Sequence, residues 1–338
     1  MKLPEYNLHD HFDSSLGAVV IGRNEGERLK QCLLSLCKDL EHIVYVDSGS
    51  NDDSVEFALS LGVNVVSLDL SQPFTAARAR NAGLAVLVEK QPALHYVQFV
   101  DGDCEVQSGW LSQASEFLEN NPDFAAVCGR RRERYPEASI YNLLCDIEWE
   151  TPIGEAKACG GDALFRLTAL QIVDGYRDSL IAGEEPEMCY RMRQLGWKIM
   201  RLNVEMTLHD ASMTRIRQWW KRNQRAGHAY AESYALHGQS EEKFRKSECK
   251  SILLWAALLP IFIIGMSLWE PKLSVLFLVY PLQIARLTLR YQRRFKNLKQ
   301  STLYSVSNVF GKWPQLMGIV EFKVNSLRGI RSHLIEYK

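Results

Sequence analysis

Four short apolar runs divide the first 101 residues: Leu16–Gly22 (LGAVVIG), His42–Asp47 (HIVYVD), Val63–Leu68 and Tyr96–Asp101 (YVQFVD). Stretches with helical spacing of apolar residues lie between them, at Glu25–Cys37, Ser54–Leu61 and Thr75–Glu89. Runs apolar throughout read as strands buried on both faces, and strands alternating with helices at this spacing predict βαβ units and a mainly parallel sheet. In such a sheet ligands bind beyond the carboxyl ends of the strands. Two of the four runs end there on an aspartate.

The chain has 338 residues, 46% of them hydrophobic. At roughly 150 residues per domain that predicts about two units, and the apolar content excludes a disordered chain. Eight cysteines with no C-x-x-C pair do not form a disulfide framework, so reduced thiols and a cytosolic site are expected. The stretch Met1–Ser15 is polar and lacks the apolar core of a signal peptide, so nothing points to export. A net charge of +0 hides an asymmetry: residues 1–214 carry 19 basic and 33 acidic side chains, residues 215–338 carry 21 and 7. An acidic front half suits a metal site, and a basic back half suits an anionic membrane face. Nucleic acid is the competing partner for basic patches, and the apolar runs beside these point away from it.

Ile252–Trp269 is an 18-residue stretch without a charge. As a helix it would span about 27 Å, close to the hydrocarbon thickness of a bilayer. After Glu270-Pro271-Lys272, Leu273–Ala285 is apolar again, so the pair reads as a helical hairpin that Pro260 interrupts. Lys243, Arg245, Lys246 and Lys250 precede it, and Arg286, Arg290, Arg293 and Arg294 follow. Basic flanks on both sides predict that both face the cytoplasm. The competing reading is a buried helical pair in a soluble domain.

Three segments carry the chemistry. In Asp47-Ser48-Gly49-Ser50, Asp47 ends a strand where it can accept hydrogen bonds from a nucleobase or ribose, and Gly49 permits a sharp turn. In Asp101-Gly102-Asp103, two carboxylates beyond a strand end can converge on Mg²⁺ or Mn²⁺ and leave positions free for diphosphate oxygens. In Gly183-Glu184-Glu185-Pro186-Glu187, clustered carboxylates repel, which favours a general base, although taken alone they are better explained as an acidic helix start.

These pieces, in this order, resemble glycosyltransferase family 2, whose members have the GT-A fold. The resemblance runs from about Leu16 to Arg225 and includes Val19–Glu25 (VVIGRNE), Ala79-Arg80-Asn81-Ala82-Gly83 and Gly160-Gly161-Asp162-Ala163-Leu164-Phe165-Arg166. It implies that Asp47, with Glu25 and Arg80, holds the nucleoside of an activated sugar, and that Asp101 and Asp103 hold the metal and diphosphate. Gly161 and Asp162 would border the sugar or acceptor. Glu185 stands where the family has the Asp of a Glu-Asp pair, the base that deprotonates the acceptor. With Glu-Glu here, the role falls on Glu185 or Glu184, with Glu187 a minor third. His209 is a third metal ligand by the same resemblance, or a structural histidine. Arg215–His228 is loosely similar to the Gln-x-x-Arg-Trp segment of membrane polysaccharide synthases, which would put Trp220 at the acceptor and Arg222 at the donor diphosphate. The plain alternative is an interfacial amphipathic helix.

The expectation is therefore an N-terminal extension (1–15), a GT-A catalytic domain (16–212), an amphipathic interfacial helix region (213–250), an apolar membrane hairpin (251–290) and a basic amphipathic tail (291–338). The implied activity is inverting, metal-dependent sugar transfer from a nucleotide-diphosphate donor to a lipid-linked or saccharide acceptor. Its implied place is the cytoplasmic face of the cell membrane, with other proteins of polysaccharide assembly as partners. Transfer to a polyprenyl phosphate is the alternative within the same chemistry. A sugar-phosphate nucleotidyltransferase is a different class, disfavoured by the single glycine of Ile21-Gly22-Arg23-Asn24-Glu25. An inert nucleotide-sugar-binding scaffold is the non-enzymatic one.

Overall fold

The computed structural model describes residues 15–330 and 335; the expected N-terminal extension, but for Ser15, lies outside the described residues. Two compact units are distinguished. One comprises residues 15–134, 149–179 and 184–211, the other residues 135–148, 180–183 and the described residues from 212 onward.

The first unit is built on strands β1 (Leu16–Gly22), β2 (His42–Asp47), β3 (Asn64–Ser67), β4 (Tyr96–Asp101), β5 (Cys104–Val106), β6 (Phe124–Glu133), β7 (Gly154–Glu155), β8 (Ala163–Arg166) and β9 (Lys198–His209). They form one sheet in the order β3-β2-β1-β4-β8-β6-β9-β5, with β7 on β9. The pairs β1–β2, β1–β4, β2–β3 and β6–β9 are parallel, and β8 runs antiparallel between β4 and β6. The sheet is thus mainly parallel, as expected, with β8 reversed. Gly22 pairs with Asp47 and Ile21 with Asp101, so β2, β1 and β4 end level and both aspartates emerge from one edge.

Helices cover the sheet through apolar stripes. In Glu27–Leu36, residues Leu29, Leu33 and Leu36 are buried, at the i, i+4, i+7 spacing of one helical face. The helix Ala76–Lys90 starts where the Thr75 hydroxyl accepts the Arg78 amide at 3.1 Å. Its Gly83 lies against the sheet so closely that a Cβ there would stand 2.4 Å from Val19 Cγ1. That approach carries Arg80, one turn earlier, toward the strand ends.

The chain crosses twice to the far side of β8. β6 and β9 run side by side with register shifts, and at their ends Arg131 pairs with Thr207 and Glu133 with His209. β5, just after Asp103, pairs antiparallel to β9 so that Cys104 faces His209. This pairing is what brings position 209 beside position 103.

The second unit is helical. Helices Ile216–His237 and Lys312–Leu327 cross closely at two glycines: a Cβ at Gly227 would stand 2.0 Å from Gln315 O, and one at Gly318 2.0 Å from Gln224 O. Trp219 is buried, and its Nε1 donates to Ser307 Oγ at 3.1 Å. Two helices are long and apolar enough to cross a membrane, Lys246–Trp269 and Pro271–Phe295, and only 17% and 11% of their most apolar windows are buried. Both are mostly exposed rather than packed as a buried pair. Ahead of Pro260 the first widens into a π-turn at Leu254–Leu258, where the Leu259 amide donates to Leu254 O. Pro260 offers no N–H, so Trp255 O has no donor five residues on. Tyr280 Oη supplies it from the second helix, at 2.8 Å. None of the eight cysteines forms a disulfide.

Candidate active site

Asp47 closes the loop that follows β2. Its carboxylate accepts from Tyr45 Oη at 3.0 Å, Gly49 N at 3.0 Å and Ser50 N at 3.1 Å. Gly49 is left-handed with φ 88, the conformation that favours glycine. Burial, aided by the neighbouring Asp47 charge, holds the Tyr45 phenol above its ordinary range and keeps it a donor. The loop after β1 is stitched to this one, with Asn51 N on Asn24 Oδ1 at 2.7 Å and Asn24 N on Ser50 Oγ at 2.9 Å. Glu25, next in that loop, pairs with Arg28 at 2.7 Å.

Asp101 sits in a knot of charges. Arg80 reaches Asp101 Oδ1 at 2.6 Å with one nitrogen and Glu184 Oε1 at 2.6 Å with the other, and its guanidinium lies over the Tyr176 ring. Burial works against the Arg80 charge, but Asp101 and Glu184 outweigh it and hold the group above its ordinary value. Arg131 reaches Asp162 Oδ2 at 2.7 Å and lies 3.8 Å from Asp101 Oδ2.

Asp162 does not border a sugar pocket. It is 0% exposed, and its oxygens take the Asp101 amide at 3.0 Å, the Thr207 hydroxyl at 2.9 Å and Arg131. A fully enclosed carboxylate with this many partners sets the end of β4 rather than touching a ligand. Gly161 does border the knot: a Cβ there would meet Asp101 Oδ2 at 2.7 Å and an Arg80 nitrogen at 3.0 Å.

Asp103 and His209 come together from different strands, Oδ2 to Nε2 at 3.4 Å, both buried. The other ring nitrogen lies 3.8 Å from Glu133 Oε2, and the ring packs edge-on to Trp149. A carboxylate behind a metal-ligating histidine is the usual arrangement for orienting the ring. Cys104 completes the cluster of Asp103 and His209 and is shared with a second one, in which Asp101, expected on the same ion, stands with Asp162. The oxygen and nitrogen of the Asp103–His209 pair fit Mg²⁺ or Mn²⁺.

The helix Glu184–Gln194 carries the acidic triplet. Glu187 is enclosed and paired with Arg191 at 2.9 Å and Arg177 at 3.4 Å, so it is a structural ion pair and not a base. Glu185 is 3% exposed, and its Oε1 takes Cys159 N at 2.7 Å, Cys159 Sγ at 3.0 Å and Cys189 Sγ at 2.9 Å. Oε2 makes no hydrogen bond among the described residues. The side chain is anchored through one oxygen.

Trp220 and Arg222 lie on Ile216–His237 in the helical unit, where Arg222 pairs with Glu148 at 2.5 Å. Arg131, Glu133, Cys159 and Cys189 were missed in the sequence. Arg131 and Glu133 carried a faint signal, because residues two apart on a strand share a face. The cysteines carried none.

The geometry now allows comparison with known proteins. Residues 18–158 match the model of Glycosyl transferase family 2. Residues 18–158 thus form a glycosyltransferase family 2 domain on a sheet of the GT-A fold, the module of a class of sugar-transferring enzymes. Among individual proteins, the O-antigen chain rhamnosyltransferase RfbN of Salmonella typhimurium is 24% identical over 189 residues, 52% of this chain and 58% of that protein. The match thus covers less than two thirds of that relative's length. The mannosyltransferase PcManGT of Pyrobaculum calidifontis, solved with GDP-Man and Mn²⁺, aligns over 91% of this chain and 87% of its own, with TM-score 0.56 and 16% identity. Residues 1–349 of S. aureus TarS align over 87% of this chain and 90% of their own, with TM-score 0.50 and 14% identity.

Proposed function

We propose that the chain moves a sugar from a nucleoside-diphosphate donor to a hydroxyl of a lipid-linked or saccharide acceptor, inverting the anomeric carbon, in cell-surface polysaccharide synthesis at the cytoplasmic side of a membrane. One observation carries the reading: Arg80 joins Asp101, at the strand end expected to face the diphosphate, to Glu184, at the helix start expected to carry the base. Glu185 Oε2 would take the acceptor proton while the acceptor oxygen bonds to the anomeric carbon. The bond from that carbon to the diphosphate breaks in the same step, and the nucleoside diphosphate leaves with the electron pair. Asp103 and His209 would hold Mg²⁺ or Mn²⁺, which neutralises charge on the diphosphate when bound. Arg80 and Arg131 would fix Asp101 in place. Asp47 and Glu25 would face the nucleoside. The names of RfbN and PcManGT support the donor class, and two long, exposed apolar helices support membrane attachment.

The test is nucleoside-diphosphate release by the full-length protein in detergent. A panel of donors that includes GDP-mannose is offered with Mn²⁺ and a membrane lipid extract. Release is expected in the wild type and absent in Asp103→Ala. Glu185→Gln is expected to lower turnover by about 10²–10⁴-fold, the usual worth of a general base. A mild effect of that change would redirect the reading to a phosphate acceptor, which needs no base. Release of pyrophosphate, or donor binding without turnover, would sink it.

A further inference from the structure

Cys159, Glu185 and Cys189 form a cluster of three ligand-bearing side chains. The two sulfurs lie 3.7 Å apart, and both reach Glu185 Oε1, at 3.0 and 2.9 Å. A tetrahedral ion with metal–sulfur bonds of about 2.3 Å sets its two sulfurs about 3.8 Å apart. The sulfur pair therefore already has the spacing of a metal-bound pair. An oxygen ligand would stand about 3.5 Å from each sulfur, so the carboxylate need retreat only about 0.5 Å.

The geometry points to a site for a thiophilic divalent ion, Zn²⁺ or Cd²⁺, held by Cys159 Sγ, Cys189 Sγ and a Glu185 oxygen, separate from the Asp103–His209 pair. Glu185 and Cys189 are four residues apart and share one face of the helix Glu184–Gln194, while Cys159 comes from the loop leading to Gly160 and Gly161. Three protein ligands leave a fourth position for water. Two sulfur ligands select against hard ions, so Mg²⁺ and Mn²⁺ do not compete here. Binding exchanges two thiol protons for one ion and involves no oxidation. A disulfide between the same sulfurs is the less fitting outcome. At 3.7 Å the two sulfurs stand far outside the about 2.05 Å of a disulfide bond.

An ion at this site would take Glu185 from the acceptor, so Zn²⁺ would inhibit transfer. That consequence rests on the transferase reading; the site itself does not. Full-length protein, stripped with a chelator and kept under a phosphine reductant, is titrated with Cd²⁺ while the sulfur-to-metal charge-transfer absorption is followed. One equivalent is expected to saturate the band in the wild type, in Cys37→Ser and in Asp103→Ala. The band is expected to vanish in Cys189→Ser and, independently of that helix, in Cys159→Ser. No band in the wild type, or a band surviving in both cysteine variants, overturns the site. With Mn²⁺ in excess, Zn²⁺ is expected to cut nucleotide release at least about a hundredfold in the wild type, as loss of the base would. It should leave the residual turnover of Cys159→Ser unchanged. A saturable band with undiminished release would uphold the site and refute Glu185 as the base.

Discussion

Arg80 and Glu184 are 104 residues apart in the chain, and their side chains meet at 2.6 Å. The same guanidinium holds Asp101 at 2.6 Å and is 2% exposed. Removing it leaves two carboxylates without their shared cation in a poorly solvated place. Arg80→Ala is therefore expected to lower stability by roughly 3–5 kcal/mol, the cost of breaking a buried pair. Urea unfolding measures it. Asp101→Asn in the same background should recover part of the loss, and the idea fails if it recovers none.

Gly161 keeps open the space over this knot. In Gly161→Ala the new methyl would press on Asp101 Oδ2 at 2.7 Å. The expected result is a fall in kcat/KM on the order of tenfold to a hundredfold, as displaced site groups produce, with a melting temperature close to wild type. Unchanged kinetics would place the reacting groups elsewhere.

The metal assignment predicts a split between two histidine-side variants. His209→Ala removes a ligand, whereas Glu133→Gln only loosens the group behind it, which usually costs about 10–100-fold in metal affinity. Titrating activity with Mn²⁺ should show a higher half-saturation in Glu133→Gln, with turnover restored at saturating ion. Failure of added Mn²⁺ to restore it would show that Glu133 acts otherwise.

His228 is buried in the helical unit, and burial lowers its pKa to about 4, with Glu321 opposing. Unfolded, it would titrate near 6.5. Its contribution is complete above 6.5 and is lost as the pH falls toward 4, because the unfolded chain then binds a proton that the folded one refuses. The expected loss is about 3 kcal/mol across that window. Denaturation from pH 7 to 4 should show a shallower decline in His228→Gln than in the wild type; parallel curves would refute it.

Tyr280→Phe removes the donor that Trp255 O receives across the apolar hairpin. Inside a membrane such a bond is worth about 0.6 kcal/mol on average and up to about 1.7. The variant should unfold earlier in lipid discs by an amount in that range, and no change would mean the carbonyl finds another donor.

The strands β1, β2 and β4 were legible to the residue, because each is buried on both faces and reads as an unbroken apolar run. β6 and β9 were not. Segments such as Gly129-Arg130-Arg131-Arg132-Glu133 carry charge at every other position or more, and only pairing with a neighbour makes them strands. The reversal of β8 was equally hidden, since direction in a sheet is a property of the chain path. The amphipathic reading of Arg215–His228 missed the burial of Trp219, because a helix that packs on another helix has the same periodicity as one lying on a lipid surface.

The sequence alone determined the chemistry on offer: carboxylates at strand ends, an acidic helix start, and two apolar helices in a basic half. Those are local patterns, and side-chain type with spacing suffices to read them. Which groups meet was decided by the tertiary structure. Asp103 faces His209 because β5 pairs with β9, Arg80 spans Asp101 and Glu184 because Gly83 lets its helix close on the sheet, and Glu185 is gripped by thiols from a loop and from its own helix. All but the Glu185–Cys189 contact join residues distant in sequence, and their strength depends on burial that no local pattern records.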